Sequence, residues 1–130
     1  MTHPDIPEDL RRFVLTSVPS VPFLEALLLL RASPGQQWDG TALAERLYIR
    51  EKVAQGLLDD LCTAGMARRC DAPAEHAYCY APATEALREL VDRLAELYAK
   101  HLVEVTHLIH STLDRKAQKF ADAFRLRKDA

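Results

Sequence analysis

No basic surplus marks this 130-residue chain: 17 Lys and Arg stand against 19 Asp and Glu, a net charge of −2 with histidine neutral. Proteins that grip nucleic acid usually show a basic footprint, so the overall charge argues against broad phosphate contact and leaves only a local patch to supply it. Apolar runs are short as well. The most apolar stretch, Phe23 to Leu30, falls far below the ~18 residues of a membrane span. The opening MTHPDIPEDLRR is acidic and proline-bearing without an apolar core, so no secretory signal is expected. Cysteine is scarce, and three is an odd number in a chain long enough to build a core without staples; a reducing cytoplasm is the expected compartment. The four glycines are scattered and form no phosphate-cradling loop, and no GxSxG or HExxH pattern occurs. No catalytic residue is assigned, and neither an enzyme nor a cofactor is expected. His101, Glu104, His107 and His110 come nearest to a metal site. Three-residue steps drift around a helix, however, and no Cys or Asp completes the set, so no metal is expected.

What is present centres on Trp38 to Arg69. Asp39 is a good N-cap, and Leu43, Ala44 and Leu47 share one face of a short helix. Tyr48-Ile49 makes a turn, and a second helix carries Val53, Leu57, Leu58 and Leu61 as its apolar face. Gly65 sits where a left-handed residue ends a helix, and Met66 to Arg69 leaves it as a strand. The segment MARRCDAPAEHAYCYAP reads as a hairpin whose turn formers lie in DAPAEH.

Upstream, residues 5–17 form a short helix opened by Pro7, Glu8 and Asp9. Ser20 caps a second helix, in which Leu27 to Leu30 leave almost no polar face, so it is buried on most sides. Gln36 to Trp38 suits a short strand, with Trp38 a core plug. Helix, tight turn, helix, glycine and hairpin together resemble the winged helix-turn-helix domains of bacterial transcriptional regulators, over roughly Val21 to Pro82. The segments SVPFLEALLLLR and FADAFRLRKD are also similar to a group of small bacterial proteins, a likeness that brings no biochemistry. The first resemblance implies a mainly α fold with a small β-hairpin wing, a winged helix-turn-helix followed by a long C-terminal helix.

That long helix is expected over 83–113. About 30 residues lack Gly and Pro, roughly 45 Å at helical rise. Leu87, Leu94, Leu97, Tyr98, Leu102, Val105, Leu108 and Ile109 lie on one stripe, too long for a small domain to cover and too apolar to leave bare, so a homodimer is expected through them. The chain thus divides into an N-terminal helical extension (1–20), a winged domain (21–82), the dimerisation helix (83–113) and a basic amphipathic tail (114–130). In the tail, Phe120 and Phe124 stand four residues apart among Lys and Arg, a motif suited to folding back on the dimer, to a protein partner, or to DNA or an anionic membrane surface.

In a DNA reader the start of the second helix of the pair faces the duplex. Arg50 and Lys52 are placed there for phosphates, Gln55 for an adenine edge, and Arg68 and Arg69 for the backbone beside the wing. The first expectation is therefore a cytoplasmic DNA-binding regulator acting as a winged-helix homodimer. The alternative is a winged-helix interaction module, a regulatory adaptor that touches no DNA, favoured by the acidic first 82 residues (8 Lys and Arg against 11 Asp and Glu). Cys70 and Cys79 flank the hairpin loop, and a redox switch there would need them to face each other across it, with Arg69 or His76 to lower a thiol pKa, whereas Cys62 falls on an apolar helix face as a small buried hydrophobe.

Overall fold

The computed structural model describes residues 6–70 and 77–111, with 119 and 121. Glu8–Ser17 (α1) starts at Pro7 with two acidic residues against the positive helix end, and buries Leu10, Phe13 and Val14. Val21–Ala32 (α2) opens where the Ser20 hydroxyl accepts from the Phe23 N–H at 3.2 Å. Phe23, Leu24, Ala26, Leu27 and Leu30 are all buried, which makes α2 the central helix of the core. Gly40–Leu47 (α3) is capped by Asp39, whose carboxylate accepts from the Ala42 N–H at 2.8 Å.

Glu51–Thr63 (α4) crosses α3 closely at Gly40. A Cβ there would stand 3.1 Å from Gln55 Oε1 and 3.4 Å from the Glu51 carbonyl oxygen. The inward row of α4 is Ala54, Leu57, Leu58 and Leu61, at i, i+3, i+4 and i+7. Val53, expected on that row, points outward at 49 % exposure, because the smaller Ala54 takes the inner position. Gly65 ends α4 at φ +78°, with its own N–H on Cys62 and the Met66 N–H on the Leu61 carbonyl at 3.0 Å.

Ala67–Arg69 (β1) and Tyr78–Tyr80 (β2) form an antiparallel pair with Ala67 opposite Tyr80 and Arg69 opposite Tyr78. Tyr78 turns both its N–H and its carbonyl to Trp38, at 2.7 and 2.8 Å, so β2 lies between β1 and a single bridging residue. The short strand expected before α3 is reduced to Trp38, which is fully buried. The described fold is thus mainly helical with a small two-stranded sheet.

Glu85–Lys100 (α5) is capped by Thr84, which accepts from the Leu87 N–H at 3.0 Å. One helix over 83–113 is not what forms. α5 stops at His101 (φ −134°, ψ 52°), and a separate helical stretch occupies 102–111. His101 serves both: its N–H bonds Leu97, and its carbonyl accepts from Val105. The break lets Val105, Leu108 and Ile109 enter the common core. Burying each such side chain contributes about 1.5–3 kcal/mol, more than the roughly 1 kcal/mol net of each helical hydrogen bond given up.

The stripe expected at a dimer interface is therefore largely covered by its own chain. Leu94, Val105, Leu108 and Ile109 are buried, and Leu87, Leu97 and Tyr98 pack half-buried against the core. Leu102, by contrast, is exposed beside Val103. Polar contacts fasten α5 to the rest: Arg93 grips Asp9 of α1 with two hydrogen bonds, and Arg31 of α2 meets Asp92 at 2.7 Å. No single described helix is long and apolar enough to cross a membrane; α1 and α2 pass that test only jointly, across a 110° bend.

Candidate functional site

The turn between α3 and α4 presents an unusual residue. Tyr48 adopts a left-handed backbone (φ 56°, ψ 46°), and its ring is 94 % exposed. Left-handed geometry costs a residue with a side chain roughly 1–2 kcal/mol, and here burial returns nothing. Ile49 beside it anchors the turn by packing on the core and bonding the Ala44 carbonyl at 3.1 Å. Arg50 then occupies the α4 N-cap without a side-chain cap bond, and Arg50, Lys52 and Val53 all face solvent. Glu51, a repulsive neighbour for any anion, accepts a hydrogen bond from the Thr41 hydroxyl at 2.9 Å and so leans back on α3. The tip of this helix pair thus offers Tyr48, Arg50, Lys52 and Val53 outward.

One turn farther along, Gln55 is not free to meet a base edge. Its amide donates to Asp59 at 3.2 Å and to the Tyr78 hydroxyl at 3.4 Å. Asp59 is drawn toward the hairpin, because the Tyr78 hydroxyl donates to its carboxylate at 2.5 Å. Arg69 lies over the Tyr78 ring, 5.9 Å from its centre. Gln55, Asp59, Tyr78 and Arg69 therefore lock the middle of α4 to the hairpin. The bond to Asp59 favours the protonated phenol and holds the Tyr78 pKa above its ordinary value, with burial adding to this and Arg69 opposing it.

On the hairpin, Arg68 and Arg69 are both exposed. The expected proximity of Cys70 and Cys79 is realised as a disulfide, with Cα atoms 5.9 Å apart. Cys62 is a free thiol, half-buried against the core. Phe120 and Phe124 of the tail, and His76 of the loop, lie outside the described residues.

Elsewhere the chemistry is sparse. Among the described residues no charged side chain is buried and no three potential metal ligands cluster. An open cleft of about 250 Å³ between α1 and the end of α5 is lined by Pro7, Leu10, Arg93, Glu96, Leu97, Lys100 and His101. Arg93 is committed to Asp9, whose carboxyl it holds below the usual carboxylate range. Tyr80, over which Arg88 stands at 5.7 Å, has its pKa raised chiefly by burial and further by the charge of Asp92.

Arg50, Lys52, Arg68 and Arg69 lie on the surface as their positions in the sequence imply, whereas the role of Tyr48 and the Asp59–Tyr78 contact have no distinct sequence signal of their own. An aromatic at a helix turn is a weak signal by itself, and a contact between residues 19 positions apart leaves no local pattern. No family model and no curated protein matches the chain. Among solved structures it is similar to the crystal structure of Rv1404 from Mycobacterium tuberculosis, at 15 % identity and a TM-score of 0.48, over 85 % of this chain and 69 % of that one.

Proposed function

We propose that this chain is a winged-helix DNA-binding regulator, with the tip of the α3–α4 pair and the hairpin as its contact surface. The observation that carries the reading is the exposed group Tyr48, Arg50, Lys52 and Val53 at the start of α4, unburied and costly to the fold at Tyr48. The left-handed backbone closes α3 and turns Ile49 onto the core, but the Tyr48 ring itself does nothing for packing, which is a reason to look for function there. The overall charge leaves a local patch to supply the contact. Glu51 and Asp59 keep their charge but are turned toward Thr41 and Tyr78 by hydrogen bonds. The lock between α4 and β2 also sets Arg69 beside the helix turn that follows Lys52. Arg50, Lys52, Arg68 and Arg69 then meet phosphates, while Val53 and Tyr48 supply apolar contact of the kind that suits a thymine methyl.

The test is selection of genomic fragments at low salt followed by titration at several salt concentrations. Four phosphate contacts per chain give a slope of log affinity against log salt of about −3 to −4, and two copies bound together steepen it to about −7. The slope thus also counts the copies on the DNA, which bears on the homodimer. Arg50→Ala/Lys52→Ala should flatten it by about two for each copy bound. The second reading, an interaction module without DNA contact, draws on the exposed Leu102–Val103 pair. It gains if no fragment is retained and a Leu102→Asp change releases a protein partner.

A further inference from the structure

We infer that Cys70 and Cys79 form a reversible thiol–disulfide exchange site whose state sets how firmly the hairpin holds Arg68 and Arg69 to DNA. The effect on DNA rests on the reading above, whereas the exchange chemistry does not.

The ladder places the pair. Arg69 opposes Tyr78, so Cys70 opposes Ala77, to which its N–H bonds at 2.9 Å, and Cys79 opposes Arg68. Side chains at 70, 77, 68 and 79 therefore share one face, and the two cysteines are diagonal neighbours on it. Their Cα separation of 5.9 Å lies in the usual range for a disulfide, so the hairpin register brings the two sulfurs together without displacing the backbone. Both residues are half-buried on this surface element, within reach of small thiols. Arg68, directly opposite Cys79, brings a cation to that face, which favours the thiolate needed for exchange.

Position also makes the bond consequential. β1 and β2 are three residues each, and a two-stranded hairpin is marginal without further support. Cys70 follows Arg69, and Cys79 follows Tyr78, the residue that joins Arg69 to Asp59 of α4. The bond thus closes the end of the hairpin immediately beyond its basic residues. It joins residues nine positions apart and constrains the unfolded chain less than a bond across the whole domain would. A permanent staple is therefore the weaker role for it.

The step balances with a dithiol reductant. Its thiolate attacks one sulfur of the Cys70–Cys79 bond, forming a mixed disulfide and expelling the other cysteine as a thiolate that takes a proton. The reductant's second thiolate then attacks its own sulfur in the mixed disulfide and frees the first cysteine. Two electrons and two protons reach the protein, and the reductant leaves as a disulfide.

The experiment holds the full chain in dithiothreitol buffers of stepped reduced-to-oxidised ratio. Thiols are counted by alkylation and mass spectrometry, fold by circular dichroism, and affinity on the selected fragment by fluorescence anisotropy. Expected are a reversible loss and return of the Cys70–Cys79 bond with helicity unchanged, and DNA affinity about tenfold lower in the reduced state. Cys70→Ser/Cys79→Ser should show the reduced-state affinity in every buffer. A bond that survives until the chain unfolds overturns the exchange site, and equal affinity in both states while the thiols cycle overturns its coupling to DNA. Cycling thiols with no DNA held in either state remove the DNA reading and leave the exchange chemistry standing.

Discussion

Tyr78→Phe isolates the contact that joins the hairpin to α4. The tyrosine is buried, and its ring keeps its packing in the variant; what goes is the hydroxyl that donates to Asp59 at 2.5 Å. A hydrogen bond to a charged group contributes roughly 1.5–3 kcal/mol. Asp59 is exposed and retains Gln55 as a donor, so the lower end applies, about 1–2 kcal/mol. For a chain of this length that loss lowers Tm by about 4–7 °C. Trp38 is the only tryptophan, is fully buried and pairs its backbone with Tyr78, so its fluorescence in a urea titration reports on this corner of the fold. A double-mutant cycle with Asp59→Ala should give a coupling of about 1 kcal/mol. The sign of the pH dependence adds a second readout. Because the folded hydroxyl ionises above the unfolded value near 10, its stabilisation is intact below that value and disappears as pH rises through the folded pKa. Tyr78→Phe should remove that part of the alkaline loss. If the two substitutions add to within about 0.3 kcal/mol, the hydroxyl–carboxylate contact contributes nothing and the reasoning fails.

Asp9→Asn should flatten the acid limb of stability: Arg93 depresses the folded pKa of Asp9, so that contribution is present above the ordinary carboxylate range and lost as pH falls through the folded value, which urea titrations from neutral to acidic pH would follow. Leu94→Asp buries an unpaired charge and should cost several kcal/mol or unfold the chain, whereas Leu102→Asp, at 53 % exposure, should change stability by only about 0.5 kcal/mol or less. Sedimentation of the Leu102 variant then shows whether that face joins copies. Tyr48→Gly should stabilise the fold by about 1 kcal/mol, by relieving the left-handed backbone, while weakening DNA retention; equal retention would remove the turn from the contact surface.

The parts of the fold legible in the sequence are those decided by neighbours in the chain. Ser20, Asp39 and Thr84 cap their helices through hydroxyl or carboxylate groups three positions from the N–H they accept, and Gly65 takes the one backbone geometry that favours its lack of a side chain. Illegible parts depend on distant partners. Nothing in LYAKHLVEV marks a helix end, because neither Gly nor Pro occurs there; the break at His101 follows from the core's capacity to take in Val105, Leu108 and Ile109. The inward choice of Ala54 over Val53 depends on how closely α3 crosses at Gly40. At the candidate site the surface basic residues could be placed from helix and strand positions alone. The engagement of Gln55 could not, since Tyr78 stands 23 residues away.

The hairpin's two edges are not alike. On one side β2 is closed by Trp38, which takes both main-chain groups of Tyr78. Among the described residues, β1 pairs with no strand but β2, so its outer side is where a foreign strand would add. That side belongs to a segment of three residues, two of them arginine. Short length and repelling like charges are how proteins keep such edges from templating aggregates. Arg68 and Arg69 thus guard this edge against the chain's own copies. Neutralising them in a binding assay leaves the edge only its short length, and light scattering of the variant becomes the control that separates lost affinity from lost solubility.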